Sequence, residues 1–269
     1  MKTSTSKRLR WNVAIWLAAG LFMTSTAGMA SGPIMPDPKA EARHQPQVEE
    51  TANGIPLVNI TAPSSGGVSR NEYEMFNVPD KGAILNNSYT LSKTELAGYV
   101  PGNNNMAERP AKIIVNEVTG AGSTSMDGFL EVAGNRADVV IANPNGITVN
   151  GGGFINTGKA FLTTGKPVYD GEDHLQRFDI TGGDILIEGK GLGGKETESL
   201  AILSRAVKIN AGIWAEDLHI TTGANTVDAK TLEASAIEGK GGRPAFALDT
   251  AAIGGMYAGR ITLVGTEKG

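Results

Sequence analysis

The sequence contains no cysteine, so no disulfide bond can stabilise its fold. Aromatic residues make up only 6% of the 269 residues, and there is no excess of positive charge: 24 Lys and Arg face 28 Asp and Glu, a net charge of −4. Phosphate binding needs clustered Lys and Arg. An acidic chain of this kind is therefore a poor candidate for a nucleic-acid-binding protein.

Residue sets for metal binding or catalysis are also missing. The three histidines, His44, His174 and His219, lie far apart without the spacing of metal ligands, and no G-x-S-x-G motif is present. Adjacent carboxylates occur at 172–173 and 216–217, but neighbouring side chains of a strand point to opposite faces. The sequence therefore predicts no enzyme, no metal site and no cofactor.

Two glycine-rich passages lack the context of the phosphate-binding loops that they resemble. Residues 153–160 read GFINTGKA, where Ala160 stands at the position at which a P-loop needs Ser or Thr. Residues 189–194 read GKGLGG and match G-x-G-x-x-G, but that fingerprint requires a parallel sheet with crossover helices. The chain shows no alternation of strands and helices, so we interpret both passages as structural loops.

Only one long apolar run is present, at residues 11–23, and it is shorter than the roughly 20 residues that span a bilayer. It follows four basic residues and precedes a stretch of small residues, which is typical of a signal peptide. We predict a signal peptide over residues 1–30, cleaved between Ala30 and Ser31. Its removal lowers the net charge from −4 to −8, because residues 1–30 carry four positive and no negative charges.

Residues 31–50 contain four prolines and little apolar content, which predicts a disordered mature N-terminus. Beyond them, 36 glycines accompany short apolar runs typical of β-strands. These runs are KIIV (112–115), FLEVAG (129–134), ADVVIA (137–142), GITVNG (146–151), AFLTTG (160–165), DILIEG (184–189), LHITTG (218–223) and RITLVG (260–265).

A local phrase recurs along these runs: an aliphatic residue, Thr, one or two residues, then Gly. It begins at Leu162, Ile180, Ile220 and Ile261, with separations of 18, 40 and 41, close to multiples of about 20. Such spacing favours a solenoid of stacked parallel strands, with sandwiches and barrels as the main alternatives. Residues 51–100 are less regular and could cap its N-terminal end; the strand-like run near residue 269 leads us to expect that the sequence is the head of a longer chain.

The cluster Asn143-Pro144-Asn145-Gly146 predicts a turn between the runs ADVVIA and GITVNG. Proline fixes its own φ and keeps the preceding residue extended. The Asn143 side chain can cap the turn, and Asn145-Gly146 readily supplies left-handed dihedral angles. From the residues alone, the cluster is a structural corner.

Three passages together resemble the N-terminal secretion domain of two-partner secretion exoproteins, a family that includes filamentous haemagglutinin-like adhesins and contact-dependent growth inhibition proteins. They are NEVTGAGSTSMDGFLEVAGNRADVVIANPNGITVNGGGFINTGKAFLTTGKP, SLAILSRAVKINAGIWAEDLHITTGANTV and ALDTAAIGGMYAGRITLVGTEKG. The resemblance covers about residues 51–269. It implies an all-β fold, a right-handed parallel β-helix with an N-terminal cap and extra-helical strands.

The resemblance also implies a route and partners. The Sec machinery would export the chain through its signal peptide, and an outer-membrane β-barrel transporter with periplasmic recognition domains would bind it. The chain would then fold outside a Gram-negative cell, secreted or at the surface, and regions after residue 269 would contact host or neighbouring cells. The resemblance leaves open whether those regions form an adhesin, a haemolysin or a toxin.

Two asparagine motifs mark this family, and they are the predicted secretion and transporter-recognition residues. The second motif, N-P-N-G-I, is intact, whereas the first, usually N-P-N-L, has Asn in place of Pro and Met in place of Leu, which predicts a looser turn. The predicted residues are Asn103, Asn104, Asn105, Met106, Asn143, Pro144, Asn145, Gly146 and Ile147. They would set the geometry of the early coils, present a surface to the transporter, or both. Two other functions stay open: a carbohydrate- or cell-binding adhesion module and, less favoured, a β-helix enzyme acting on polysaccharides.

Overall fold

The structure is a computed structural model that describes residues 32–106, 109–250 and 254–267. The predicted signal peptide and its cleavage site at Ala30 and Ser31 lie outside these residues. Within the described ranges the only helical element is a short 3-10 helix, Ala42–His44, and the rest of the regular structure is β. None of the helical structure in these ranges is long and apolar enough to cross a membrane.

The first part of the chain forms seven strands. They are β1 (Ile34–Pro36), β2 (Gln47–Glu50), β3 (Pro56–Asn59), β4 (Val68–Phe76), β5 (Ala83–Asn87), β6 (Ser92–Thr94) and β7 (Gly98–Val100).

The remaining described chain forms eighteen strands, most of them three to seven residues long. They are β8 (Ile113–Val118), β9 (Thr124–Met126), β10 (Phe129–Gly134), β11 (Ala137–Ala142), β12 (Ile147–Val149), β13 (Gly152–Ile155), β14 (Thr157–Thr163), β15 (Lys166–Tyr169), β16 (Leu175–Ile180), β17 (Asp184–Ile187), β18 (Leu192–Gly194), β19 (Ser199–Ser204), β20 (Ala206–Ile209), β21 (Gly212–Thr222), β22 (Asn225–Asp228), β23 (Ala234–Ala236), β24 (Leu248–Thr250) and β25 (Gly255–Gly265).

Most of these strands stack in parallel as three faces of a coil. The first face contains β4, β8, β11, β14, β19 and the second halves of β21 and β25; the second face contains β9, β12, β17, β20 and β24; the third face contains β3, β5, β10, β13, β18 and the first halves of β21 and β25. Each turn of the chain visits the first, second and third face in that order. The predicted parallel β-helix, with an N-terminal cap and extra-helical strands, is therefore confirmed.

The core lies between the three faces, where aliphatic side chains stack from coil to coil. On the first face Ile141, Leu162, Ile202 and Ile220 are aligned in register, and each is at most 1% exposed. Burying such a side chain contributes about 1.5–3 kcal/mol. One aligned residue per coil explains why short apolar runs separated by turns specify this fold.

The spacing of the Thr-Gly phrase was interpreted only partly correctly. Leu162 aligns with Ile202, 40 residues later, because the hairpin β15–β16 is inserted within a single coil. Ile180 ends that hairpin and belongs to no coil. The separation from Ile220 to Ile261 spans one coil plus the inserted strands β22 and β23, whereas the separation from Ile180 to Ile220 starts outside the coil. Period counting cannot distinguish either separation from two coils.

The inserted strands form a second layer outside the first face. Strands β15, β16, β22 and β23 make a four-stranded antiparallel sheet. Its side chains Phe178, Ile180 and Val227 pack on Val140 and Phe161 of the coil. On the third face the hairpin β6–β7 similarly covers a smaller apolar cluster near the N-terminal end.

The prediction of a disordered segment over residues 31–50 is wrong for the described part. Strand β1 pairs antiparallel with β4, and β2 pairs antiparallel with β3, so these residues close the N-terminal end of the coil. The prolines fit because Pro36 lies in a strand at the edge of the sheet, where a missing N–H is tolerated. The cap therefore starts before residue 51.

Candidate functional site

The second asparagine motif forms a tight turn at the corner between β11 and β12. The Gly146 N–H donates to the Asn143 carbonyl at 3.1 Å, and Gly146 has φ +108°. Asn145 is not among the residues with positive φ, so the expected left-handed geometry applies to Gly146 alone. Asn first, Pro second and Gly fourth are the preferences of a type I turn, which confirms the predicted corner.

The Asn143 side chain bonds the corner to the preceding loop of the coil. It is fully buried, and its Nδ2 donates to the Gly122 carbonyl at 2.9 Å and the Thr124 hydroxyl at 3.0 Å. Its Oδ1 accepts the Asn145 N–H at 2.9 Å. The Asn143 backbone N–H meanwhile donates to the Thr163 carbonyl at 2.9 Å, on the next coil. One residue therefore joins three successive stretches of the β-helix.

The other residues of this motif divide between surface and core. Pro144 and Asn145 are exposed, although the Asn145 Nδ2 donates to the Gly120 carbonyl at 2.8 Å. Gly146 is buried, and a Cβ there would lie 3.0 Å from the Asp184 carbonyl oxygen. Ile147 is 1% exposed and belongs to the core.

The first motif builds the same turn at residues 103–106. The Met106 N–H donates to the Asn103 carbonyl at 3.1 Å, and the Asn105 N–H donates to Asn103 Oδ1 at 2.9 Å. Asn103 is 2% exposed, and its Nδ2 donates to the carbonyls of Ile60 and Asn86, both at 2.9 Å.

The predicted looser first turn is not what the geometry shows. The side-chain bond within the second turn joins its first and third residues, Asn143 and Asn145. The first turn has asparagine at both of these positions, and Asn103 and Asn105 form the same bond. Asn104 takes the exposed position of Pro144, while Met106 is 5% exposed and packs in the main core. The two motifs thus share the hydrogen bonds within the turn, and their effect on export stays a prediction.

Sequence reasoning missed a set of buried asparagines around the first turn. Asn86 Nδ2 donates to Asn59 Oδ1 at 2.8 Å and to the Pro101 carbonyl at 3.0 Å. Asn87 bonds the backbone of Ala111 in both directions, at 2.9 and 2.7 Å. The adjacent Asn86-Asn87-Ser88 within an apolar strand was the available signal, since buried amides need partners.

A buried ionic cluster was also missed, where the N-terminal cap meets the first face. Arg70 Nη2 lies 2.9 Å from Glu72 Oε1 and 3.3 Å from Glu117 Oε2, and His44 Nδ1 lies 3.0 Å from Glu72 Oε1. The Arg70 guanidinium also sits 4.5 Å from the Tyr169 ring centre. Burial raises the pKa of Glu117 and, together with the Arg70 charge, lowers the pKa of His44.

The other two histidines singled out in the sequence bond to neighbouring side chains of the fold. His174 Nδ1 bonds Asp170 at 3.0 Å, and His219 Nε2 lies 2.9 Å from the Thr221 hydroxyl. In the described part of the chain no three His, Cys, Asp or Glu residues are grouped as a metal site. The glycine-rich passages 153–160 and 189–194 lie in strands and corners of the coil.

Comparison with known proteins identifies the family. The model of the TPS secretion domain matches residues 33–269. The chain belongs to the TPS secretion domain family. The match includes the ordered residues 34–50.

Relatives and solved structures agree with this membership. The chain is 47% identical to Toxin CdiA of Yersinia pestis over 242 residues, and 46% identical to 16S rRNA endonuclease CdiA of Enterobacter cloacae over 245 residues. These matches cover 89% and 90% of this chain but only 7% of each relative. The crystal structure of the filamentous hemagglutinin secretion domain superposes with a TM-score of 0.80 at 32% identity, covering 88% of this chain and 80% of that one.

As a TPS secretion domain, the chain has a secretion and targeting role in exoproteins of the CdiA and filamentous hemagglutinin type. Such exoproteins are secreted or exposed on the surface of Gram-negative bacteria, and each has a cognate outer-membrane transporter. Some relatives are named as nucleases, but this chain covers only 7% of the length of such a protein.

Proposed function

We propose that this domain directs export of a much longer surface exoprotein, an adhesin or a contact-dependent growth inhibition toxin. Residues 1–30 act as the Sec signal peptide, the periplasmic domains of the cognate transporter recognise the following domain, and the β-helix nucleates outside the cell. The observation that carries the proposal is the pair of equivalent asparagine turns, each bonded to distant parts of the coil.

In the folded domain the first asparagine of each motif serves the fold and is not accessible to a partner. Asn103 is 2% exposed and Asn143 is fully buried, so a partner of the folded domain cannot contact either amide. Each turn satisfies several backbone groups at once, and groups left unpaired in the interior cost about 1–3 kcal/mol each. The motifs thus stabilise the early coils, which is what nucleation requires.

The hairpin beside the first turn carries apolar side chains that the fold leaves exposed. The Asn103 N–H donates to the Ser88 carbonyl at 2.7 Å, at the base of the β6–β7 hairpin. This hairpin region exposes Tyr89, Leu91 and Tyr99, with 48%, 68% and 70% of their surface accessible. Clustered apolar side chains of this kind mark interaction sites. We assign residues 89–99 as the segment that the periplasmic domains of the transporter contact before the β-helix forms, because the fold leaves these apolar side chains unused.

We also propose that the domain is not catalytic. Asp217, one of the candidate carboxylates, pairs with Arg260, which lowers the pKa of Asp217 and keeps it ionised. An ionised carboxylate cannot serve as the general acid of a glycosidase or lyase. Absence of turnover of polyuronates and neutral polysaccharides would agree with this assignment, and measurable turnover would contradict it.

The test is an export assay in a Gram-negative host that expresses residues 1–269 with or without the cognate transporter. We expect folded, β-rich protein in the medium only when the transporter is present. The double variant Asn143→Ala/Asn145→Ala should reduce release because the corner loses its bonds. Transporter-independent release of the unchanged chain would reject the secretion proposal as a whole.

A second pair of variants separates the hairpin from the asparagines. Leu91→Ser/Tyr99→Ser should reduce release without lowering the thermal midpoint, since both side chains are mostly exposed. Phe246→Ser is the matched control, because Phe246 is 68% exposed on a different loop. Normal release of the hairpin variant would remove the hairpin from the interface and leave the role of the domain intact.

A further inference from the structure

The second asparagine corner contains a chemically reactive pair of residues. Asn145 is followed by Gly146, and two further Asn-Gly pairs lie at 53–54 and 150–151. The backbone nitrogen of the next residue can attack the side-chain amide of an asparagine, and a following glycine has no Cβ to obstruct the approach. Asn-Gly is therefore the asparagine pair most prone to spontaneous loss of ammonia.

The fold requires the glycine that makes this pair reactive. Gly146 has φ +108°, and an added Cβ would lie 3.0 Å from the Asp184 carbonyl oxygen. The first motif differs at this position, because Asn105 is followed by Met106, whose side chain hinders the attack. The two turns share their internal hydrogen bonds, but their chemical reactivity is different.

In the folded domain, hydrogen bonds engage both reacting groups. The Gly146 N–H donates to the Asn143 carbonyl at 3.1 Å, and Gly146 is buried. The Asn145 Nδ2 donates to the Gly120 carbonyl at 2.8 Å and to Asn143 Oδ1 at 3.1 Å. The nitrogen that must attack is bonded to another acceptor, and the amide that must be attacked is bonded to the preceding loop of the coil. The reaction therefore needs the corner to open.

The products of ammonia loss cannot rebuild this corner. The Asn145 Nδ2 is a donor that faces two acceptor oxygens, whereas a carboxylate in its place has acceptors only. An isoaspartate also adds a carbon atom to the main chain inside the turn, so the bond from the Gly146 N–H to the Asn143 carbonyl loses its geometry. Ile147, which follows directly and is 1% exposed, is then displaced from its place in the core.

We propose that Asn145 is a self-modification site that is open in the unfolded chain and closed by folding. The Gly146 backbone nitrogen loses its proton and bonds to the Asn145 Cγ, while the Cγ–Nδ2 bond breaks and ammonia leaves. Water then opens the resulting succinimide. Cleavage at Cγ gives aspartate, and cleavage at the backbone carbonyl carbon of residue 145 gives isoaspartate. The net change is the loss of ammonia and the gain of water, without any other reactant.

The modification gives the unfolded chain a limited lifetime. This consequence rests on the proposed function, in which the domain folds only after it has crossed the outer membrane. A chain that is exported promptly closes the corner with Asn145 intact, whereas a chain that waits unfolded loses the ability to close it. The corner thereby selects chains by the time that they have spent unfolded.

Peptide mapping by mass spectrometry tests the reaction. We would incubate the purified chain of residues 1–269 at mildly alkaline pH, with and without concentrated guanidinium chloride, and follow ammonia loss at Asn145 and Asn105. We expect Asn145 to react at least about tenfold more slowly in the folded protein than in denaturant, because only the open corner reacts. In denaturant Asn145 should react faster than Asn105. Equal rates at Asn145 in the two conditions would overturn the proposal.

Refolding of aged protein tests the consequence. We would hold the chain in denaturant for increasing times, dilute it, separate folded from unfolded protein by size exclusion and map both fractions. Isoaspartate at position 145 should be at least about tenfold rarer in the folded fraction than in the unfolded one, since the corner loses its hydrogen bonds. Asn53 is the matched control, because it is exposed in a loop outside the coil strands, and its products should be depleted less.

Asn145→Gln separates this site from other ageing of the chain. Glutamine keeps an amide but closes a ring with the next backbone nitrogen far more slowly, so its refolding yield should decline less with time in denaturant. An equal decline for both proteins would contradict the proposal. If the variant does not fold, the maps of the unchanged chain decide, and equal amounts of isoaspartate 145 in both fractions reject it. These experiments need no transporter, so their failure leaves the secretion role unaffected.

Discussion

At the scale of single residues, the two asparagine turns show that one buried amide side chain can bond several groups at a corner, where no strand pairing is available. Asn143 bonds the Gly122 carbonyl, the Thr124 hydroxyl and the Asn145 N–H from a fully buried position. An apolar side chain in its place removes all three bonds, and the Gly122 carbonyl keeps only the longer bond from Asn145 Nδ2 at 3.4 Å. The motif therefore stabilises the fold, whichever part of the domain the transporter contacts.

We expect Asn143→Ala to lower the free energy of unfolding by about 2–4 kcal/mol, because a buried polar group left unpaired costs about 1–3 kcal/mol. Asn145→Ala should cost about 1 kcal/mol, since its side chain is exposed and loses bonds that water can replace. Urea denaturation of both variants measures the difference. Equal losses for the two positions would contradict the assignment of Asn143 as the central residue of the corner.

The ionic cluster around His44 predicts acid sensitivity. His44 is 5% exposed and faces Arg70, Glu72, Arg43 and Asp173, and burial together with Arg70 lowers its pKa below 6.5. The unfolded chain then binds the proton more readily, so stability is lost as pH falls below about 6.5 towards the folded-state pKa.

His44→Gln removes this titration and keeps a neutral donor for Glu72. As pH falls below about 6.5 the unchanged protein should lose more stability than the variant, by at most about 1.36 kcal/mol per pH unit for one proton. Thermal melts over this pH range provide the measurement. His219, whose pKa is also lowered, and Glu117, whose pKa is raised, are common to both proteins and cancel in the comparison. Parallel pH profiles would argue against His44 as the titrating group.

The buried polar residues show what could and what could not be predicted from the sequence. The corner at Asn143 was predictable because its proline, glycine and cap are local. The partners of Asn87 were not, since Ala111 and Asn135 lie 24 and 48 residues away and only the stacking of coils brings them together. The ionic cluster was hidden for the same reason, because His44, Arg70 and Glu117 come from separate strands and loops.

At the scale of elements, the strands were easier to predict than their grouping. Alternating apolar residues identified the strands of the coil, but Ile180 has the same local phrase and belongs to an antiparallel hairpin. Local sequence specifies a strand, whereas its partner depends on chain connectivity. Residues 34–50 were missed because proline-rich composition conceals two short strands whose order comes from pairing with β3 and β4.

The hairpin β6–β7 provides a prediction at this scale. Its loop is held by one buried carboxylate: Glu131 accepts the Glu95 N–H at 2.7 Å and the Leu96 N–H at 2.9 Å. Glu131→Ala should raise amide exchange at these two residues by about tenfold, the equivalent of one lost hydrogen bond. Glu131→Gln should give a smaller increase, because its amide retains one acceptor oxygen. Unchanged exchange in both variants would show that the apolar contacts under the hairpin hold it unaided.

At the scale of the whole molecule, the two ends of the β-helix differ. Strands β1 and β2 and the 3-10 helix cover the N-terminal end, and Ile34 is only 3% exposed. At the other end, β25 pairs with β21, and Ile261 and Leu263 of the last described coil are 41% and 51% exposed. In a stacked fold, stability is roughly a sum of coil and interface terms, so in a protein expressed as residues 1–269 the coil of β25, which has one interface, is held less strongly than a coil with two.

This asymmetry predicts a gradient of stability along the axis. Amides of β25 should exchange at least about tenfold faster than those of β11, β14 and β19, a gap of about 1.4 kcal/mol in opening free energy. A matched pair of substitutions tests the same gradient. Ile202→Ala, at a fully buried position, should cost about 2–5 kcal/mol, and Ile261→Ala should cost clearly less because its side chain is already 41% exposed. Hydrogen exchange measured by mass spectrometry, with urea denaturation of the two variants, provides both readings. Uniform protection along the coils together with equal losses would mean that the β-helix opens as one unit, and nucleation could then not be assigned to its capped N-terminal end.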